Sequence, residues 1–189
     1  MLKPFYQGKL DVFCSIYAVL NALQITHGLR ISRARGILHD TIMALADKPA
    51  VLRAVLDQRT DYVELVDGLL RAQEKVFSID VTTPFLGANA LPSPEKLRTA
   101  CEDFLNGGPN RAVIFRFLKF LFAGTEPVNR HWTTLDAVNG GTLHLFDCSH
   151  EAAAIVNIAP DAYVTRVADV DADRLICIEP RTVRFVAAR

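Results

Sequence analysis

The chain has 189 residues, half of them hydrophobic and 22% charged, and its 21 basic and 21 acidic residues give a formal net charge of zero. That length can bury a substantial core, and the balanced charge gives no broad electrostatic case for nucleic acid or an anionic membrane as partner. Cysteines at 14, 101, 148 and 177 are too sparse and uneven for a disulfide framework, so reduced thiols are expected.

The first residues, MLKPFYQGKLD, lack the apolar run of a signal peptide, and no stretch reaches the length of a membrane span, so the expected location is cytoplasmic. Phe13, Ile16, Leu20 and Leu23 then recur three or four apart, widened by Val12 and Val19. This predicts an amphipathic helix capped by Asp11 and stopped at Gly28. Cys14, Ala18 and Asn21 follow a second line beside that stripe, with Cys14 in the first turn. Unpaired N–H groups and the positive end of the helix dipole favour thiolate there, which makes Cys14 a candidate nucleophile.

Further helices are predicted over 31–47, over 51–56 after Pro49, and over 60–75, so residues 1–75 read as a mainly helical lobe. VFSIDV at 76–81 alternates like a strand. After a proline-marked loop, Ser93 or Pro94 opens a helix near 94–106. Leu97, Cys101, Phe104 and Leu105 face inward, and Gly107–Gly108–Pro109 ends it. From Arg111 the chain reads as strands: AVIFRFLKFLF, HWTTLDAV, TLHLFD, YVTRV, LICI and VRFVA. Phenylalanines 115, 117, 120 and 122 are expected in the core. Residues 76–189 thus read as a mainly β lobe with one helix, and 1–189 as a single α+β domain with a site where the lobes meet.

His131 begins a strand that ends at Asn139–Gly140–Gly141, and the return strand ends at Asp147. A two-residue loop would put these side chains on opposite faces, whereas a three-residue loop pairs Thr133 with Asp147 and brings His131 onto the same face. Gly141 suits the left-handed last position of the longer loop, which is therefore expected. The resulting constellation has Cys14 as nucleophile, His131 as general base and then acid, and Asp147 orienting the imidazole. The Gln7 amide and the Cys14 backbone N–H are candidates for the oxyanion site.

A glutamine, a cysteine opening a long helix, then a histidine and an Asp on neighbouring strands form a pattern that resembles the papain-like cysteine peptidase superfamily, with Gln7, Cys14, His131 and Asp147 matching in type and order. The His131–Trp132 pair and the hairpin-closing Asp147 look most like the C39-like, bacteriocin-processing branch. The run from Cys14 to Asn21–Ala22–Leu23–Gln24 also looks somewhat like Josephin-type deubiquitinases. The resemblance implies a papain-like α+β fold, with the nucleophile helix packed on an antiparallel C-terminal sheet. It further implies a cysteine peptidase-like thiol hydrolase with no cofactor, acting on a peptide or protein substrate, ubiquitin-like proteins included.

Other readings of the same residues stay open. An acyltransferase or transglutaminase uses the same triad, and an inactive papain-like binding domain keeps the fold without the chemistry. Asp147, Cys148 and His150 can also be read as a metal cluster, but no paired C-x-x-C or H-E-x-x-H spacing supports one and no metal is expected. Trp132 should point away from His131 and pack. The loops at 82–94 and 123–130 are candidates for shaping a substrate cleft.

Overall fold

The computed structural model of the protein describes residues 2–7, 12–60, 62–149 and 155–189. Asp11, expected as a helix cap, and His150, a member of the alternative metal-cluster reading, lie outside the described residues. Four helices come first: α1 (Cys14–His27), α2 (Ile31–Ala46), α3 (Pro49–Leu56) and α4 (Val63–Phe77). Strand β1 (Ile79–Thr82) and helix α5 (Pro94–Asn106) lead into β2 (Arg111–Lys119), β3 (Asn129–Asn139) and β4 (Thr142–Leu145). The short strands β5 (Asn157–Ile158), β6 (Tyr163–Val164) and β7 (Ile176–Ile178) precede β8 (Arg184–Ala188).

This is an α+β protein built on one open sheet of order β1-β8-β2-β3-β4-β5. Those pairings are all antiparallel. Strand β7 pairs beyond β8 on the same edge of β2, and β6 lies parallel to β7, a departure from the purely antiparallel sheet expected.

Alternation along β2 explains how the sheet is covered on both sides. Ala112 and Ile114 turn toward Ile16, Val19, Leu20 and Leu23 of α1 and Val66 and Leu70 of α4. Val113, Phe115 and Phe117 turn the other way, against Leu97 and Cys101 of α5. A strand buried on both faces reads as a continuous apolar run, as AVIFRF does, and each large side chain so buried stabilises the fold by about 1.5–3 kcal/mol. Helix α1 is buried around much of its circumference, including Ser15, Asn21 and Thr26. A helix so enclosed is a central element and exceeds the one-stripe reading of its sequence.

A buried ion pair fastens the helical layer to the sheet. Arg184 of β8 is wholly buried and donates from Nε and Nη2 to the two carboxylate oxygens of Asp67 on α4, at 2.6 and 3.0 Å. Elsewhere the elements differ locally from expectation. Val76 and Phe77 complete α4, and Ser78, at a left-handed φ of 51°, separates it from β1, so the strand expected from residue 76 begins at Ile79. Phe115, Phe117 and Phe120 are buried as expected, but β2 ends at Lys119 and Phe122 turns outward, 70% exposed. Among the described residues, no helix is long and apolar enough to cross a membrane.

Candidate active site

Cys14 is the first residue of α1. No described side chain caps this helix and its first turn holds no acidic residue, so nothing there opposes a negative charge at the N-terminus. The first backbone bonds run from Ile16 and Tyr17 N–H to the Phe13 carbonyl, at 2.9 and 3.0 Å.

The other half of the site comes from the β3–β4 hairpin, and the structure corrects how it is made. Asn139 pairs with Thr142, so the loop is the two-residue Gly140–Gly141 turn, with φ values of 55° and 82°. Those positive φ values are what a tight turn matched to strand twist requires, and glycine adopts them readily. The expected three-residue loop is therefore absent, yet the parity it was invoked to supply is present. The register shifts between Leu135 and Ala137, where Asp136 is the extra residue of a β-bulge, and beyond it Leu135 pairs with Leu145. Phe146 N–H then donates to the Thr134 carbonyl at 2.7 Å, consistent with Thr133 standing opposite Asp147.

His131 Nε2 and Asp147 Oδ1 are 2.7 Å apart, and the Thr133 hydroxyl donates to the same oxygen at 2.8 Å. The imidazole packs edge-on against its cross-strand neighbour Phe117, with ring centroids 5.4 Å apart. Trp132 and Thr134 alternate to the opposite face, as expected for Trp132. There Trp132 joins the α1 core and the Thr134 hydroxyl donates to the Ala18 carbonyl at 2.8 Å. Helix α1 and the histidine strand are thereby fixed to each other.

Burial alone would lower the pKa of His131. Hydrogen bonds to Asp147, Cys14 and Cys148 outweigh it and hold the imidazole well above its ordinary range. Burial would likewise raise the pKa of Asp147, but the bond to His131 and the charge on it prevail and the carboxyl is held low. The structure thus brings Cys14, His131 and Asp147 together, with the imidazolium form favoured between its two partners.

Two thiols touch this histidine, and their surroundings distinguish them. Cys148 Sγ lies 3.8 Å from His131 Nε2, but Cys148 is fully buried. Burial pushes its thiol up to about 11, with His131 only partly offsetting the effect. Cys148 is a protonated thiol at neutral pH and is out of reach of a substrate carbonyl. Cys14, at the helix N-terminus and 8% exposed, is the one of the two that can present a nucleophile.

Gln7 is held in the same cluster. Its backbone N–H donates to the Cys148 carbonyl at 2.8 Å, and its Oε1 lies 3.8 Å from Cys148 Sγ. The segment before it is anchored by Asn21, whose side chain accepts from Phe5 N–H at 2.7 Å and donates to the Phe5 and Phe146 carbonyls at 3.3 and 3.5 Å. Asn21 therefore joins the N-terminal segment, α1 and the chain leading to Asp147.

No protein-family model matches this chain, and no curated protein matches it.

The sequence places Thr133 opposite Asp147 and Cys148 beside it but assigns neither of them, nor Asn21, a hydrogen-bonding role in the site. The signal for Thr133 was its register opposite Asp147, and for Asn21 its place on the Cys14–Ala18 line of a buried helix. Of the two loops expected to shape a cleft, 123–130 leads directly into β3. The same connection exposes Leu121, Phe122 and Val128, an apolar surface close in sequence to His131.

Proposed function

We propose that the protein is a papain-like thiol hydrolase that cleaves a peptide, isopeptide or related acyl bond through an acyl-enzyme on Cys14. One observation carries this reading: a buried imidazole with a raised pKa, bonded to Asp147 through Nε2 and to a cysteine that opens a helix. Asp147 occupies Nε2, so Nδ1 is the nitrogen left for Cys14. A thiolate–imidazolium pair is the arrangement a thiol nucleophile needs at neutral pH.

The Cys14 thiolate forms a bond to the carbonyl carbon, and the developing oxyanion is received by the Cys14 backbone N–H and the Gln7 amide. His131 gives its proton to the leaving amine as the C–N bond breaks. It then takes a proton from the water that attacks the thioester, which releases a carboxylic acid and restores the thiolate. Leu121, Phe122 and Val128 offer an apolar contact to the substrate chain.

The low exposure of the cluster supports a second reading, acyl transfer to an amine in a site that admits little water. Incubation with electrophilic peptide and ubiquitin-like probes, followed by mass spectrometry, tests both. A stable adduct on Cys14 that disappears in Cys14→Ala is expected. Release of free acid without added amine identifies hydrolysis, product only with amine identifies transfer, and wild-type protein that takes no adduct identifies an inactive binding domain.

A further inference from the structure

The charge pattern around Cys148 goes beyond what thiol hydrolysis requires. Its Sγ is ringed by the Cys14 carbonyl at 3.7 Å, the Trp132 carbonyl at 3.6 Å, Gln7 Oε1 at 3.8 Å and His131 Nε2 at 3.8 Å. A thiol has one proton and satisfies one acceptor at a time, so the two carbonyls and the Gln7 side-chain oxygen compete for it. Beside it, Asp147 Oδ2 is buried with no hydrogen-bond partner among the described residues. One ligand atom each from His131, Asp147 and Cys148 lies within 4.8 Å of the others.

We propose that His131, Asp147 and Cys148 form an inhibitory site for a zinc ion, with Nε2, Oδ2 and Sγ as ligands. The regulatory meaning of this site rests on the thiol-hydrolase reading; the binding does not. One nitrogen, one carboxylate oxygen and one thiolate are a donor set suited to Zn²⁺ and supply three of its four tetrahedral positions. Zinc–ligand bonds of about 2.0–2.3 Å place tetrahedral ligands roughly 3.3–3.6 Å apart. The Sγ to Nε2 spacing of 3.8 Å is close to that, and the imidazole has to leave Asp147 Oδ1, which keeps the Thr133 hydroxyl, and the Ser149 hydroxyl at 3.2 Å.

Coordination releases the Cys148 thiol proton and the His131 Nε2 proton to solvent. A neutral imidazole bound to metal through Nε2 carries its remaining proton on Nδ1, so it can no longer accept one from Cys14. Zinc would thus silence the nucleophile without touching it, and a chelator would restore it.

The test uses the full chain carrying Cys14→Ala, titrated with zinc chloride against a chromogenic chelator and with cobalt(II) by absorption spectroscopy. One equivalent of zinc and a thiolate-to-cobalt charge-transfer band are expected. Adding Cys148→Ala should remove the band, and adding either Cys148→Ala or Asp147→Asn should weaken zinc at least about tenfold. The near-isosteric Asp147→Asn, checked by circular dichroism, guards against loss of binding through misfolding. A Cys14→Ala chain that binds no zinc overturns the proposal, as does a charge-transfer band that survives Cys148→Ala. In the wild type, zinc should slow probe labelling of Cys14 at least about tenfold, reversibly. The two failures are distinguishable: the metal measurement uses a chain without the Cys14 thiol, whereas the hydrolase reading fails if metal-free wild-type protein takes no label.

Discussion

His131 meets Asp147 on one face of the sheet, at 2.7 Å, because the extra residue Asp136 between Thr133 and the turn sets Thr133 opposite Asp147 and His131 diagonally beside it. A two-residue turn by itself would set the two side chains on opposite faces. The bulge at Asp136 reverses that parity. Substituting Asp136→Ala keeps the residue count, so Cys14 labelling should stay within about twofold of wild type, while deleting residue 136 should abolish it. Labelling by the deletion variant at the wild-type rate would show that the bulge is dispensable.

The ion pair sets a pH window. His131 is held above its ordinary 6.5, so its contribution is fully present below that value and is lost as pH rises through the higher folded-state pKa. Asp147 is held below its ordinary 3.8, so its contribution is present above that value and is lost as pH falls through the lower folded-state one. The pair therefore stabilises most between pH 3.8 and 6.5. An NMR titration of the His131 ring should give a midpoint above 6.5 in the wild type and a lower one in Asp147→Asn; equal midpoints would exclude the pair as the cause.

Thr133 acts through Asp147. Thr133→Val keeps the buried shape but removes the 2.8 Å bond to the carboxylate, a charge-assisted contact worth about 1.5–3 kcal/mol. The urea midpoint should fall accordingly with its slope unchanged. The labelling rate at Cys14 should fall as well, and Thr133→Ser should restore it by returning the hydroxyl.

Asn21→Ala removes the contacts that hold the N-terminal segment, at a stability loss of about 1–3 kcal/mol. Amide exchange should accelerate at Phe5, which donates to Asn21, and at Gln7, which donates to the Cys148 carbonyl. Unchanged exchange at both amides would mean that Asn21 does not anchor Gln7.

Truncating Asp67→Ala leaves the Arg184 guanidinium buried without its carboxylate, and such an uncompensated charge destabilises by about 3–5 kcal/mol. Replacing both residues together with apolar groups should recover much of that loss. A double-mutant cycle in urea measures the coupling.

Sequence periodicity was most informative where one element carried its own signals. Helix α5 has its Ser93 cap, which accepts from Lys96 N–H at 3.3 Å, and its glycine stop, and it was legible from end to end. His131 and Asp147 were placed on one face correctly but through a loop of the wrong length, because a bulge leaves no mark in an apolar alternation. Val76 and Phe77 alternate like a strand but complete α4, with Phe77 packed on the core and Val76 exposed, so helical context overrides β propensity. Strand β5, two residues long, is too short to show any period, and of the strand expected over YVTRV only Tyr163 and Val164 pair, as β6. The crowding of Cys148 against His131 depends on the chain path after Phe146, which no local pattern encodes.

The sheet order β1-β8-β2 has a consequence for how the molecule is made. β8 follows every other described strand along the chain, and it lies between two strands translated much earlier. β1 therefore cannot be joined to the rest of the sheet until residues 184–188 have cleared the ribosome, so these layers cannot complete themselves from the N-terminus onward. Under the thiol-hydrolase reading, Cys14 would also wait for a further 131 − 14 = 117 residues before the histidine that activates it is made. A nascent chain would carry its thiol unarmed, and reactivity would arrive together with the native fold.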